Sequence, residues 1–235
     1  MPESTPDLSP DSPATHSADI EPSVDQAEAS PDQSHRLSRL DPKRFHGAWI
    51  FLCESVGAGA LVGGRNGVEP ALLAGTACAG VFLIIAAAST GFRGKGQQVL
   101  TGVILALVAP LFALLMGADS RFVVVGALAI LPAGATVVLA RRFGFLSPIV
   151  LATGVAALAV AAPMAAVAGG ASMSQAAILF SVLWALFYWR SLRVASLVAG
   201  NAPWNAQLLR TRGLREAAFT AACSLVIAIV LRATA

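Results

Sequence analysis

Residues 98–140 read QVLTGVILALVAPLFALLMGADSRFVVVGALAILPAGATVVLA, two apolar runs of membrane-spanning length separated only by Ala118, Asp119, Ser120 and Arg121. A hydrocarbon core takes about 20 apolar residues of helix to cross. A four-residue polar connection between two such runs therefore predicts a helical hairpin in lipid, where each helix satisfies its own backbone. Working outward, comparable runs occur at 47–64, 68–88, 146–167, 174–195 and 214–232. The chain is expected to be an all-α, polytopic transmembrane bundle of about seven spans.

Composition agrees. Apolar residues make up 56% of the chain and charged residues 12%, roughly half the charge of a soluble domain. The net charge of +3 hides two opposed blocks. Residues 1–41 carry nine acids against Arg36 and Arg39, a balance of −7, whereas the rest carries Glu54, Glu69, Asp119 and Glu216 against fourteen Lys and Arg, a balance of +10. Residues 1–34, rich in Pro, Ser, Asp and Glu, cannot bury enough apolar surface to offset ordering entropy. The expected organisation is a disordered acidic tail over 1–41 and a transmembrane domain over 42–235. The tail starts acidic and has no apolar segment of its own, so it does not read as a secretory signal.

Lys and Arg set the expected orientation. Arg36, Arg39, Lys43, Arg44, Arg93, Lys95, Arg141, Arg142, Arg190, Arg193, Arg210, Arg212 and Arg215 fall on one side, and Arg65, Arg121 and Arg232 on the other. Thirteen against three places the tail in the cytoplasm and the C-terminus outside, in a bacterial cytoplasmic membrane. Gly57, Gly59, Gly63 and Gly64, with Ala71, Gly75 and Ala79, predict close packing of the first two helices. Pro110 and Pro132 predict kinks. Cys53, Cys78 and Cys223 have no zinc or redox spacing and read as small buried hydrophobes.

Few residues are suited to chemistry. Glu54 is an acid inside a span, costing about 2.5–3.5 kcal/mol on insertion scales, so it should face the bundle and find a partner. It could carry a proton or a cation. His46 and Trp49 stand where the chain enters the membrane, with interfacial anchoring as the competing reading. Tyr188-Trp189-Arg190-Ser191-Leu192-Arg193 places Arg190 and Arg193 three apart, a candidate two-guanidinium patch for phosphate or carboxylate. Positive-inside anchoring predicts the same letters. Arg93 and Lys95 in a glycine-rich loop, and Arg141 and Arg142, are weaker headgroup candidates. Asn201 to Arg210 reads as a short interfacial helix. No metal ligand set, cofactor motif, hydrolase motif or nucleic-acid module is present.

The run Pro42-Lys43-Arg44-Phe45-His46-Gly47-Ala48-Trp49, followed by Glu54, resembles the opening signature of the YwiC-like bacterial membrane proteins. Tyr188-Trp189-Arg190 and Arg193 are similar to that family's later aromatic-x-Arg motif. The resemblance implies an architecture distantly like that of UbiA-type prenyltransferases but no established activity. UbiA-type enzymes hold magnesium diphosphate on Asp-rich loops, and this chain has no Asp in a predicted cytoplasmic loop after Asp41, so that metal chemistry is not expected. Three functions remain. The first is an amphiphile-binding or amphiphile-processing protein with an anionic head near His46, Arg190 and Arg193. The others are a proton- or ion-coupled small-molecule transporter using Glu54, and a non-catalytic assembly subunit. Membrane lipids are the expected partners, and whether the protein is an enzyme is left open.

Overall fold

The structure, a computed structural model, describes residues 46–64, 67–89, 94–144, 146–199 and 206–234. The acidic tail, Arg93 and residues 201–205 lie outside the described residues, as do the side chains of His46 and 206–210. The described part is helical throughout, within a compact unit spanning residues 40–235. Its helices are α1 (His46–Gly63), α2 (Val68–Ser89), α3 (Gly96–Leu115), α4 (Arg121–Leu128), α5 (Ile130–Phe143), α6 (Pro148–Ala159), α7 (Ala161–Ala168), α8 (Met173–Ala199) and α9 (Ala206–Ala233).

Six segments are long and apolar enough to cross a membrane: Val68–Ala87, Gly96–Leu115, Arg121–Phe143, Pro148–Ala168, Met173–Ser196 and Thr211–Ala233. The shorter Gly47–Gly63 in α1 makes a seventh apolar helix. The architecture is that of a multi-pass helical membrane protein. Two spans lose a helical hydrogen bond at a proline. Pro132 removes the N–H that would meet the Leu128 carbonyl, and Pro163 does the same to Ala159, while the backbone at Ala129 and Val160 stays right-handed helical so that α4 runs on into α5 and α6 into α7. Pro110 lies inside α3.

Helix ends follow local chemistry. Gly117 (φ +87°) and Gly170 (φ +93°) close α3 and α7 in the left-handed region. Ala118 N donates to Ala113 O and Ala171 N to Ala166 O at 2.9 Å each, the six-to-one bond of a Schellman turn. In the turn before α4, the Arg121 side chain and backbone N–H both donate to Asp119, which holds that carboxyl below the usual carboxylate range.

Where α1 meets α7, the contact is made of small residues. Helix α1 packs against α2, α6, α7, α8 and α9, and every residue of α7 is buried. A methyl added to Gly59 would sit 2.2 Å from the Ala162 carbonyl oxygen, and one on Gly63 2.3 Å from that of Ala166. The two backbones thus touch directly, which favours Cα–H···O contacts and dense dispersion. Between α1 and α2, Gly75 makes room for Val56.

Two expectations about this packing need correcting. Gly57 is exposed, with nothing within 4 Å of its added-methyl position, so it takes no part in the close approach. Cys53 is exposed, and Cys78 and Cys223 are only partly buried. In a bundle whose surroundings are hydrocarbon, an apolar side chain gains little by turning inward, so polarity does not predict burial. Large apolar side chains accordingly cover the outside, among them Leu107, Leu111, Leu115, Ile130 and Leu131. The stretch 206–210 forms the first turns of α9 rather than a separate surface helix.

Candidate functional site

Three helices bring the membrane-embedded charges together. Helix α1 supplies Phe51 and Glu54, which share a face at i, i+3; α8 supplies Phe187 and Arg190; and α9 supplies Glu216 and Thr220 at i, i+4. Arg190 is 6% exposed and Thr220 fully buried. The Arg190 Nη1 donates to Thr220 Oγ1 at 3.1 Å and lies 3.9 Å from Glu54 Oε1. Thr220 Oγ1 in turn lies 3.2 Å from Glu54 Oε2. The Arg190 guanidinium also rests 4.7 Å above the ring of Phe51, itself stacked on Phe187 at 4.5 Å. A desolvated cation–π contact of this kind contributes about 2 kcal/mol.

The carboxylate is held loosely. At 3.9 Å the Arg190 contact is an ion pair without a hydrogen bond. The Thr220 hydroxyl has one proton, and the Ala217 carbonyl oxygen at 3.0 Å competes with both oxygens of Glu54 for it. Glu54 therefore faces the bundle interior with a counter-ion and at most one weak hydrogen bond from these partners.

Arg193 does not join Arg190 in one patch. Three residues along α8, it is exposed; its Nε lies 3.7 Å from Glu216 Oε1, and its guanidinium stacks 4.9 Å from the Trp189 ring. The second oxygen of Glu216 is buried without a hydrogen-bond partner. Two glutamates and two arginines thus form two ion pairs across α1, α8 and α9, Glu54 with Arg190 and Glu216 with Arg193. On the same side of α8 as Arg193, an open apolar groove runs between α8 and α9, lined by Ser181, Val182, Ala185, Leu186, Trp189 and Phe219.

The other candidates make contacts of their own. Trp49 meets Phe82 of α2 edge-to-face at 5.0 Å. Tyr188 stacks on Trp184, whose indole N–H donates to the Ala152 carbonyl at 3.0 Å, facing α6. Lys95 precedes α3. Arg141 and Arg142 end α5, with Arg142 5.4 Å from the Phe143 ring. Sequence reasoning did not place Thr220, Glu216, Phe51 or Phe187 in the site. The signal available for the first two was their i, i+4 spacing in a chain with only four acids beyond the tail.

Among the described residues no group of three or more His, Cys, Asp or Glu is arranged to hold a metal ion. No family model, curated protein or solved structure matches the chain.

Proposed function

We propose that this protein binds an amphiphile with an anionic head, the chain of the ligand lying in the α8–α9 groove and its head at Arg193. The observation that carries this reading is the continuity of one helix face. Val182, Leu186, Trp189 and Arg193 follow at helical spacing, so the open apolar groove ends on an aromatic ring with an exposed guanidinium stacked over it. Arg212 and Arg215 on α9 are also exposed and add positive charge toward the same end. Such a surface suits a phosphate or carboxylate on a single hydrocarbon tail. The proposal includes membership of the YwiC-like family, resting on the His46-Gly47-Ala48-Trp49 run with Glu54 and on the Tyr188 to Arg193 motif. It also places the Arg-rich end at the cytoplasmic face of a bacterial inner membrane.

Native mass spectrometry of the purified protein tests the binding. A defined anionic lipid is expected to remain on the wild-type protein and to be lost, at least tenfold, on Arg193→Ala. Equal retention by both, or retention of neutral lipids only, rejects the reading. Orientation is tested separately by cysteine labelling of intact cells. The 118–121 loop should label from outside and the 141–145 loop only after permeabilisation. Labelling of 141–145 from outside overturns the orientation.

A proton-coupled transporter is favoured by one distinct observation, the loosely held Glu54 beside a buried arginine.

A further inference from the structure

We propose that Glu54 and Arg190 together bind one proton and one small oxyanion, the proton on the Glu54 carboxylate and the anion on the guanidinium that it releases. The inference stands apart from the amphiphile reading, and it concerns binding rather than movement of the ligand across the membrane.

Charge balance in a poorly solvated space sets the rule. Glu54 on α1 and Arg190 on α8 lie 3.9 Å apart, with side chains only 10% and 7% exposed. Removing the charge of one member leaves the other buried without compensation, which costs far more than replacing both. Protonation of Glu54 is such a removal, and an anion arriving at Arg190 restores the balance. The site accommodates the protonated acid. Thr220 Oγ1 lies 3.2 Å from Glu54 Oε2 and 3.0 Å from the Ala217 carbonyl oxygen. While Glu54 is ionised, the single hydroxyl proton serves only one of these acceptors. Once Glu54 carries a proton, its own hydroxyl donates to Thr220, Thr220 donates to Ala217, and the competition ends.

Arg190 is equipped for the anion. A guanidinium has five N–H donors, and among the described residues this one makes one hydrogen bond, from Nη1 to Thr220 at 3.1 Å. Its contact with Glu54 is too long for another. Phe51 covers one face of the group at 4.7 Å and is itself stacked on Phe187, so a ligand meets the guanidinium at its edge, where the N–H groups point. That planar fork fits the oxygens of a carboxylate, nitrate or phosphate. One oxyanion thus replaces another at the same cation. The proton ends on an oxygen of Glu54, and no covalent bond of the ligand changes.

Among the described residues, no other ionisable group on the helices packed against α1 takes the place of either partner. Helices α6 and α7 carry none, and α2 carries Glu69 and Cys78. Glu69 sits in the first turn of α2, just beyond the end of α1 remote from His46, and Cys78 bonds to the Met164 sulfur. Arg193 of α8 and Glu216 of α9 pair with each other at 3.7 Å and add no net charge. On α8, Tyr188 faces α6 through Trp184. On α9, Arg212 and Arg215 are exposed, Cys223 is partly buried, and Arg232 donates to the Leu61 carbonyl near the far end of α1. On α1, Cys53 is exposed and His46 opens the helix two turns before Glu54.

Thermal unfolding of the full-length protein in a mild neutral detergent tests the pairing, with sodium nitrate as the probe and the bulky gluconate holding ionic strength. Nitrate keeps its charge throughout, so any pH dependence belongs to the protein. A bound anion raises Tm, and here it should do so in acid. Its affinity should fall up to about tenfold per pH unit over part of the range from about pH 5 to pH 9. By linkage, adding nitrate in weak buffer within that part should remove up to one proton per site from solution. Glu54→Gln, neutral at every pH, should unfold at a lower temperature than wild type and be restored by nitrate equally across the range. Arg190→Met/Glu54→Leu, which lacks both charges, should respond to nitrate no more than to gluconate. Phosphatidylglycerol added in place of nitrate tells the two sources of an oxyanion apart: restoration of Glu54→Gln by the lipid assigns the anion to a headgroup, and restoration by nitrate alone assigns it to a free solute. Wild-type stabilisation by nitrate that is flat in pH, a double variant that still responds to nitrate, or no response at any pH overturns the proposal. Should Glu54→Gln fail to fold, the wild-type pH series and the double variant decide it between them.

Discussion

Arg190→Met is expected to destabilise the bundle by about 3–5 kcal/mol, because it leaves Glu54 in the interior without its counter-ion. The neighbours are fixed by the rest of the fold. Phe51 and Phe187 stack beneath the guanidinium, and Thr220 is fully buried, so the orphaned acid keeps mostly apolar neighbours. Thermal unfolding in a mild detergent should report a clear fall in Tm. The double variant Arg190→Met/Glu54→Leu should recover most of the loss, since a buried ion pair replaced by apolar groups of similar size is often neutral or better. A double-mutant cycle then isolates the pairwise coupling. Additive effects of the two substitutions would show that the 3.9 Å contact is electrostatically idle.

Gly59→Leu should be at least as damaging, by more than about 3 kcal/mol, with Gly57→Leu as its control. The first side chain would begin 2.2 Å from the Ala162 carbonyl oxygen and 2.8 Å from the Ala165 methyl, both on the buried α7. Neither is the end of a flexible side chain, so α1 would have to leave α7, and overpacking on that scale exceeds the usual cost of an added methylene. Only two residues away, Gly57 is exposed and meets nothing within 4 Å, so leucine there should change stability by less than about 0.5 kcal/mol. Similar unfolding of the two variants would mean that the α1–α7 contact does not hold the bundle together.

These two predictions mark where sequence reading succeeded and where it stopped. That Glu54 needs a polar partner was legible, because a carboxylate in hydrocarbon is costly wherever its helix sits. That Arg190 supplies the counter-ion, with Thr220 between them, was not, because the partners lie 136 and 166 residues along the chain and no periodicity links them. Arg190 and Arg193 looked equivalent three residues apart. In the fold one turns to α1 and the other to the α8–α9 groove, a divergence of roughly 60° about the axis that only the neighbours make decisive.

The same limit explains the glycines and cysteines. Gly57, Gly59 and Gly63 form one small-residue run, yet only the latter two meet α7. Three apolar cysteines suggested burial, yet Cys53 faces outward. In water, the hydrophobic effect would have written the inward face of each helix into its pattern of polar and apolar residues. Here both faces are apolar, and lipid rewards neither direction.

The sequence alone determined the helical class and the positions of the seven apolar stretches. The reason is that hydrocarbon imposes a length and requires every backbone group to be paired within its own segment. Tertiary structure decided which face of each helix turned inward and which charges met. Those outcomes depend on shape, on where two backbones can touch at Gly59 and Gly63, and on three side chains from separate helices meeting around Glu54, Thr220 and Arg190.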